Sequence, residues 1–187
     1  MAASTLESPP KETPTKESPP KQALAEDSIS LAQQTSGSLQ IVSFQLAKEE
    51  YGIEITRVQE IILMGEITRV PQTPSYIKGL INLRSTVIPI LDLRLRFGLE
   101  VGELTDESRI MVINVQGKTI GIIVDAVSEV LRISTEQISP PPPTVVGLGQ
   151  EYLTGLVQFE NRLLILLEID KILSEEVVTE LDKKAPS

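Results

Sequence analysis

Four acidic residues stand at matching places in a chain that repeats itself once: Glu60 corresponds to Glu129, and Asp92 to Glu168. Two carboxyl groups facing each other could run hydrolysis, one as acid and the other as base or nucleophile. The plainer reading is that each caps a turn or pairs with a local partner. The 187 residues include no histidine and no cysteine, which removes the commonest general base, the thiol nucleophile and imidazole or thiolate metal ligands. Carboxylate, lysine or hydroxyl chemistry stays open, since Asp, Glu, Lys and Ser are plentiful, but abundance alone is no evidence for it. Gly147-Leu148-Gly149 is a lone glycine pair and makes no phosphate loop. On the plainer reading of the acids, no catalytic residue, metal site or cofactor is expected.

The repeat itself is more informative. Tyr51-Gly52-Ile53 through Val58-Gln59-Glu60-Ile61 lines up with Ile120-Gly121-Ile122 through Val127-Ser128-Glu129-Val130, and Tyr76-Ile77-Lys78-Gly79-Leu80 with Tyr152-Leu153-Thr154-Gly155-Leu156. A period of about seventy residues is too long for a solenoid, whose repeats run to roughly 20 to 50, and implies a duplicated subdomain. Halves of this size are marginal alone, because small domains bury only about 60 % of their unfolded surface. They are expected to share an apolar, permanent interface, and the seam between them is the expected binding surface.

Charge and composition narrow the setting. A formal net charge of −9 argues against nucleic acid or an anionic membrane as partner, with the cluster Arg84, Arg94, Arg96 as the one candidate basic patch. The longest apolar runs, 163–167 and 120–124, fall far short of the ~18 residues of a spanning helix, so no membrane insertion is expected. Met1 to Pro10 lacks the pattern of a signal peptide, and the absence of cysteine is ordinary for a cytoplasmic protein. Residues 1–36 hold five of the thirteen prolines and nearly repeat Glu-Ser-Pro-Pro-Lys, which predicts a disordered tail.

From Leu39 onward, short Ile, Val and Leu runs are punctuated by turn residues, the texture of strands. Hairpins are expected around 47–50, 84–86, 116–117 and 160–162, with Pro140 to Pro143 in a connection. Thr56 to Glu60 and Leu93 to Phe97 read helically, as do their counterparts Asp125 to Glu129 and Asp170 to Leu173, and Ser174 to Lys184 reads as a C-terminal helix. The expected fold is all-β: two small five-stranded barrels, the first over about 39–100 with strand exchange left open and the second over about 108–173. Together they make a unit over 37–173, followed by a helix and tail over 174–187.

Tyr76 to Arg94, in particular Tyr76-Ile77-Lys78-Gly79-Leu80-Ile81-Asn82-Leu83-Arg84 and Pro89-Ile90-Leu91-Asp92-Leu93-Arg94, resembles the signature of the bacterial chemotaxis coupling family CheW. So do Tyr51-Gly52-Ile53, Val58-Gln59-Glu60-Ile61, Gly121-Ile122-Ile123-Val124-Asp125 and Glu151 to Leu156, which fall in order over about 39–173. The resemblance implies two barrels like those of Src-homology-3 domains in pseudo-twofold arrangement. It also implies a non-enzymatic cytoplasmic adaptor that joins the cytoplasmic tips of methyl-accepting chemoreceptors to the histidine kinase CheA in membrane-associated arrays. One departure stands out: the family usually has glycine where this chain has Ser85, which strains a turn that needs φ > 0.

On that resemblance, receptor binding is expected at Ile55, Val58, Glu60, Ile61, Gly79, Asn82 and Arg84. Ile55, Val58 and Ile61 are spaced as one apolar stripe on a short helical turn, of the kind that receives a partner helix, although such a stripe could equally cover its own barrel. Gly79 could serve the receptor or, like its duplicate Gly155, the backbone. Arg84 could pair bidentately with a receptor carboxylate. Kinase binding is expected at Met64, Glu66 and Ile67. The rivals are a paralogue serving twitching or surface sensing, a small barrel enzyme using carboxylates or lysine, and a barrel that encloses a ligand.

Overall fold

The computed structural model describes residues 37–142 and 150–173, which belong to one compact unit. Eleven strands account for most of it: Ser38–Leu46 (β1), Glu49–Glu54 (β2), Val58–Leu63 (β3), Ile77–Leu83 (β4), Thr86–Asp92 (β5), Arg109–Val115 (β6), Lys118–Val124 (β7), Ala126–Ser134 (β8), Ile138–Ser139 (β9), Leu153–Phe159 (β10) and Arg162–Leu167 (β11). The α-helix Leu93–Arg96 (α1) follows β5, capped by Asp92, whose carboxylate accepts from the backbone N–H groups of Arg94 and Leu95. Two-residue turns close the hairpins. Arg84 and Ser85 have φ of 50° and 68°, and Gln116 and Gly117 of 50° and 80°, the paired positive values that match the right-handed twist of the flanking strands.

The strands form a five-stranded sheet in the order β3-β6-β7-β5-β4 and a six-stranded sheet in the order β8-β1-β2-β11-β10-β9. Replacing β3, β6, β7, β5 and β4 by β8, β1, β2, β11 and β10 converts one order into the other, so the sequence repeat is a repeat of topology. Even the irregularities recur. A bulge between Ile77 and Gly79 matches one between Leu153 and Gly155, and β5 lies parallel to β7 as β11 does to β2.

The two sheets do not follow the halves 39–100 and 108–173 strictly, and the strand exchange that the sequence leaves open is present. The hairpin β1–β2 of the first half completes the sheet of the second, and β6–β7 of the second completes that of the first. The exchange explains the long apolar runs. Along β6, Ile110 and Val112 enter the core of their own sheet while Met111, Ile113 and Val115 enter a core shared by both sheets. Along β1, Ile41 faces its own sheet and Val42, Phe44 and Leu46 the shared core. A strand buried on both faces reads as continuous hydrophobicity instead of alternation.

Two stretches that read helically are otherwise. Ile55–Arg57 is a single 3-10 turn and Val58 already begins β3, because its residues pair with β6 from Val58↔Ile113 to Leu63↔Arg109. Asp125 is a bend, followed at once by β8, which pairs with β1. In both places an available sheet edge outweighs weak helical spacing. Ile169–Lys171 is a 3-10 turn, and the expected helix from Ser174 lies outside the described residues.

Candidate functional site

The chain passes from the second sheet to the first through the 3-10 turn Ile55–Arg57. Ile55 and Val58 are half-buried and pack on the shared core, together with Val127, which corresponds to Val58 in the second half. Their remaining surface lies at the rim of the seam. Ile61 does not continue that stripe: it is three residues along a strand from Val58, 42 % exposed, in an alternation where Gln59, Ile61 and Leu63 point outward.

Across from this edge, the β4–β5 turn carries Arg84. Its guanidinium donates to Glu60 Oε2 at 2.9 Å, with the arginine side chain 80 % exposed and the glutamate 24 %. One N–H of a five-donor group is therefore used internally and most of the fork stays available to a carboxylate. Asn82 is exposed on β4, and a small open cleft of about 190 Å³ runs between the pair and Thr86, Val112 and Thr119. The second half builds a related pair from different positions. Glu129 corresponds to Glu60, but the residue matching Arg84 is Glu160, and Arg162, two residues later, reaches Glu129 at 2.7 Å and Glu50 at 3.2 Å. Hydrogen bonding to Glu129 raises the Arg162 pKa further.

Gly79 has a structural requirement of its own. It is buried, its φ is 147°, and a Cβ there would fall on the backbone carbonyl of Thr68. That close approach is held by reciprocal hydrogen bonds, Thr68 N–H to Leu80 O at 2.9 Å and Leu80 N–H to Thr68 O at 2.8 Å. Gly155 is milder: a Cβ would meet the Ile138 side chain and the Ser139 carbonyl, and its φ is not in the left-handed region. Met64, Glu66 and Ile67 lie in the connection after β3, with Met64 and Ile67 packed on the first sheet's core and Glu66 exposed.

These features lie in a chain region that matches the profile of the CheW-like domain over residues 40–177. The chain belongs to the CheW-like family. It is 43 % identical to the chemotaxis protein CheW of Klebsiella aerogenes over 157 residues, 84 % of this chain and 94 % of that protein. To that of Treponema pallidum it is 36 % identical over 146 residues, 76 % and 86 % of the two chains. Among solved structures, the scaffolding protein TtCheW of Thermoanaerobacter tengcongensis superposes with a TM-score of 0.69 at 36 % identity, covering 74 % of this chain and 90 % of that one. The CheW-like match contains every candidate residue from Ile55 to Arg84 and leaves out the proline-rich 1–36.

Three of the four acids that opened a catalytic reading have local partners within this CheW-like fold, and the fourth, Glu168, precedes the last 3-10 turn without a side-chain hydrogen bond to cap it. Glu60 and Glu129 pair with arginines, and Asp92 caps α1. The basic cluster is likewise engaged. Arg94 forks onto Asp125, which raises its pKa. Arg96 donates to Ile172 O at 2.8 Å with its guanidinium about 5 Å from the rings of Tyr76 and Tyr152, two tyrosines at duplicated positions. Among the described residues no group of acids is placed to hold a metal ion, and no helix is long and apolar enough to cross a membrane.

Reasoning from sequence missed a second ion pair at the seam. Arg57, at the crossover itself, forks onto Asp170 at 3.2 and 2.6 Å. A signal existed: the repeat aligns Arg94 with Asp170, so one half has an arginine where the other has an aspartate.

Proposed function

We propose that this chain is a coupling scaffold that holds the cytoplasmic tip of a chemoreceptor and a CheA-type histidine kinase in one assembly, at the cytoplasmic side of the membrane. The observation that carries the reading is the rim of the shared core. There the half-buried Ile55 and Val58 offer apolar surface to a helix, and the mostly exposed Arg84 offers charge-assisted donors to a receptor carboxylate. Membership in the CheW-like family and the 43 % identity to a chemotaxis protein support it.

Within this reading, Ile55, Val58, Glu60, Ile61, Asn82 and Arg84 make the receptor surface. Gly79 contributes by letting β4 approach Thr68 and not by touching the partner. Met64, Glu66 and Ile67 remain the kinase-side candidates. Coupling acts by position: the chain adds no turnover of its own, in keeping with Glu60 and Glu129 being paired with arginines and Asp92 capping α1.

The test is titration of the full chain against a receptor cytoplasmic fragment and against isolated kinase, followed by kinase autophosphorylation in the ternary mixture. Saturable binding to both, with receptor-dependent control of the kinase only when the chain is present, is the expected result. Failure to bind either partner, or nucleotide hydrolysis by the chain alone, defeats the reading.

A further inference from the structure

The two crossovers between the sheets are fastened by clamps of the same plan and opposite polarity. At the β7–β8 crossover the acid is on the crossover: Asp125 accepts from Arg94 of α1 and from the backbone N–H of Ala47, the first residue of the β1–β2 turn, at 2.6 Å. At the β2–β3 crossover the base is on the crossover: Arg57 donates to Asp170, and Asp170 Oδ1 also accepts from the backbone N–H of Gln116 at 3.2 Å. Gln116 opens the β6–β7 turn as Ala47 opens the β1–β2 turn, and both have φ between 50° and 58°. Asp170 is itself held fast, since its neighbours Ile169 and Ile172 are buried in the shared core and its own carbonyl accepts from the Gln116 side chain at 2.8 Å.

Arg57 is the last residue of the turn that begins with Ile55 and the residue before Val58. Whatever fixes the Arg57 side chain fixes the path of the backbone between these two apolar residues. We propose that Asp170, acting through Arg57, is a positioning residue for receptor recognition: it sets the conformation in which the crossover presents Ile55 and Val58. The inference rests on the receptor reading given above. It assigns a role in receptor binding to a residue more than a hundred positions from Ile55 and Val58 in sequence and not itself a contact.

The test uses the full chain, a receptor cytoplasmic fragment, isolated kinase and thermal unfolding. Asp170→Asn keeps an oxygen for Gln116 and removes the charge, so receptor affinity falls about two- to fivefold, the range of a one-third-exposed ion pair. Asp170→Arg sets like charges against each other and costs about tenfold or more. The double variant Arg57→Asp with Asp170→Arg copies the polarity of the other clamp and returns receptor affinity to within about threefold of the original. Kinase affinity and the unfolding midpoint stay nearly constant in Asp170→Asn. Recovery in the double variant is the decisive readout, since a direct contact of Arg57 with the receptor would not survive the swap. Normal receptor binding by Asp170→Arg, parallel loss of receptor, kinase and stability in Asp170→Asn, or no recovery in the swap overturns the proposal. Arg84→Ala is measured alongside: if it weakens receptor binding while the Asp170 variants do not, only the clamp inference falls, and if it too binds normally the receptor surface itself is misplaced.

Discussion

Arg84 and Glu60 form an ion pair 2.9 Å long in which the arginine is 80 % exposed and the glutamate mostly covered. The asymmetry decides what substitution at each end measures. Removing Arg84 leaves a glutamate that water still reaches, so the stability cost stays within about 1 kcal/mol. A receptor carboxylate that used the free donors of the guanidinium would lose a charged contact, roughly 1.5 to 3 kcal/mol, or about ten- to a hundredfold in affinity. Arg84→Ala is therefore expected to weaken receptor binding by at least tenfold with kinase affinity unchanged. Arg162→Ala, which opens the related pair in the other half, is expected to leave receptor binding alone. Titration of both variants checks the contrast, and equal losses would show that Arg84 is not special.

The residue after Arg84 carries a separate expectation. Ser85 has φ of 68°, directly after a second positive-φ residue, and a side chain in that conformation costs about 1 to 2 kcal/mol relative to glycine. Ser85→Gly should raise stability by about 0.5 to 1 kcal/mol, after allowing for the freedom glycine gains in the unfolded chain. Denaturant unfolding reads it directly. A midpoint that moves down would mean that the serine side chain makes a compensating contact.

Gly79 and Gly155 test how far the two halves are equivalent. At Gly79 a Cβ meets backbone, which cannot rotate away, and the φ of 147° is strained for any L-residue; Gly79→Ala is expected to cost about 2 to 4 kcal/mol. At Gly155 the nearest atom is the flexible end of Ile138, so Gly155→Ala costs about 1 to 2 kcal/mol. Thermal unfolding of both variants ranks them. Because Gly79 is buried, its substitution should reduce receptor and kinase binding together, unlike Arg84→Ala.

Much of this was legible in the residues. The duplication was visible because paired motifs such as Tyr-x-x-Gly-Leu recur at both bulges, where a neighbouring segment approaches too closely for a Cβ in either half. The hairpins were visible because Gln116-Gly117 and Arg84-Ser85 interrupt apolar runs. The partnering of β1–β2 with the far half was not visible, since hairpins from either half offer the same alternation and only tertiary packing chooses between them. The stripe Ile55, Val58, Ile61 misled for a related reason: a spacing of three suits a helix, but β6 offered Val58 and its successors a ladder of hydrogen bonds. The Arg57–Asp170 clamp joins residues far apart in sequence, and only the charge inversion between Arg94 and Asp170 hinted at it.

The last expectation concerns pH. With no histidine and no cysteine, the described core has no side chain whose ordinary pKa lies between about 5 and 8, so stability should be nearly flat over that span. The alkaline side differs. Burial raises the pKa of Tyr51, assisted by the charge of Glu49, and burial also raises that of Tyr152, assisted by Glu151. In the unfolded chain these phenols ionise near their ordinary value of about 10, below the folded value. The native state therefore binds more protons there, and the stabilisation, complete below pH of about 10, is lost as pH rises through the folded pKa. Tyr51→Phe keeps the ring that stacks on Phe44 at 6.1 Å and packs against Phe97, and it removes the titrating group. Unfolding midpoints from pH 6 to 11 should be level and then fall for the natural chain, with a shallower fall for Tyr51→Phe. An unchanged alkaline slope in that variant, with the neutral plateau intact, would show that Tyr51 is not the group that limits stability at high pH.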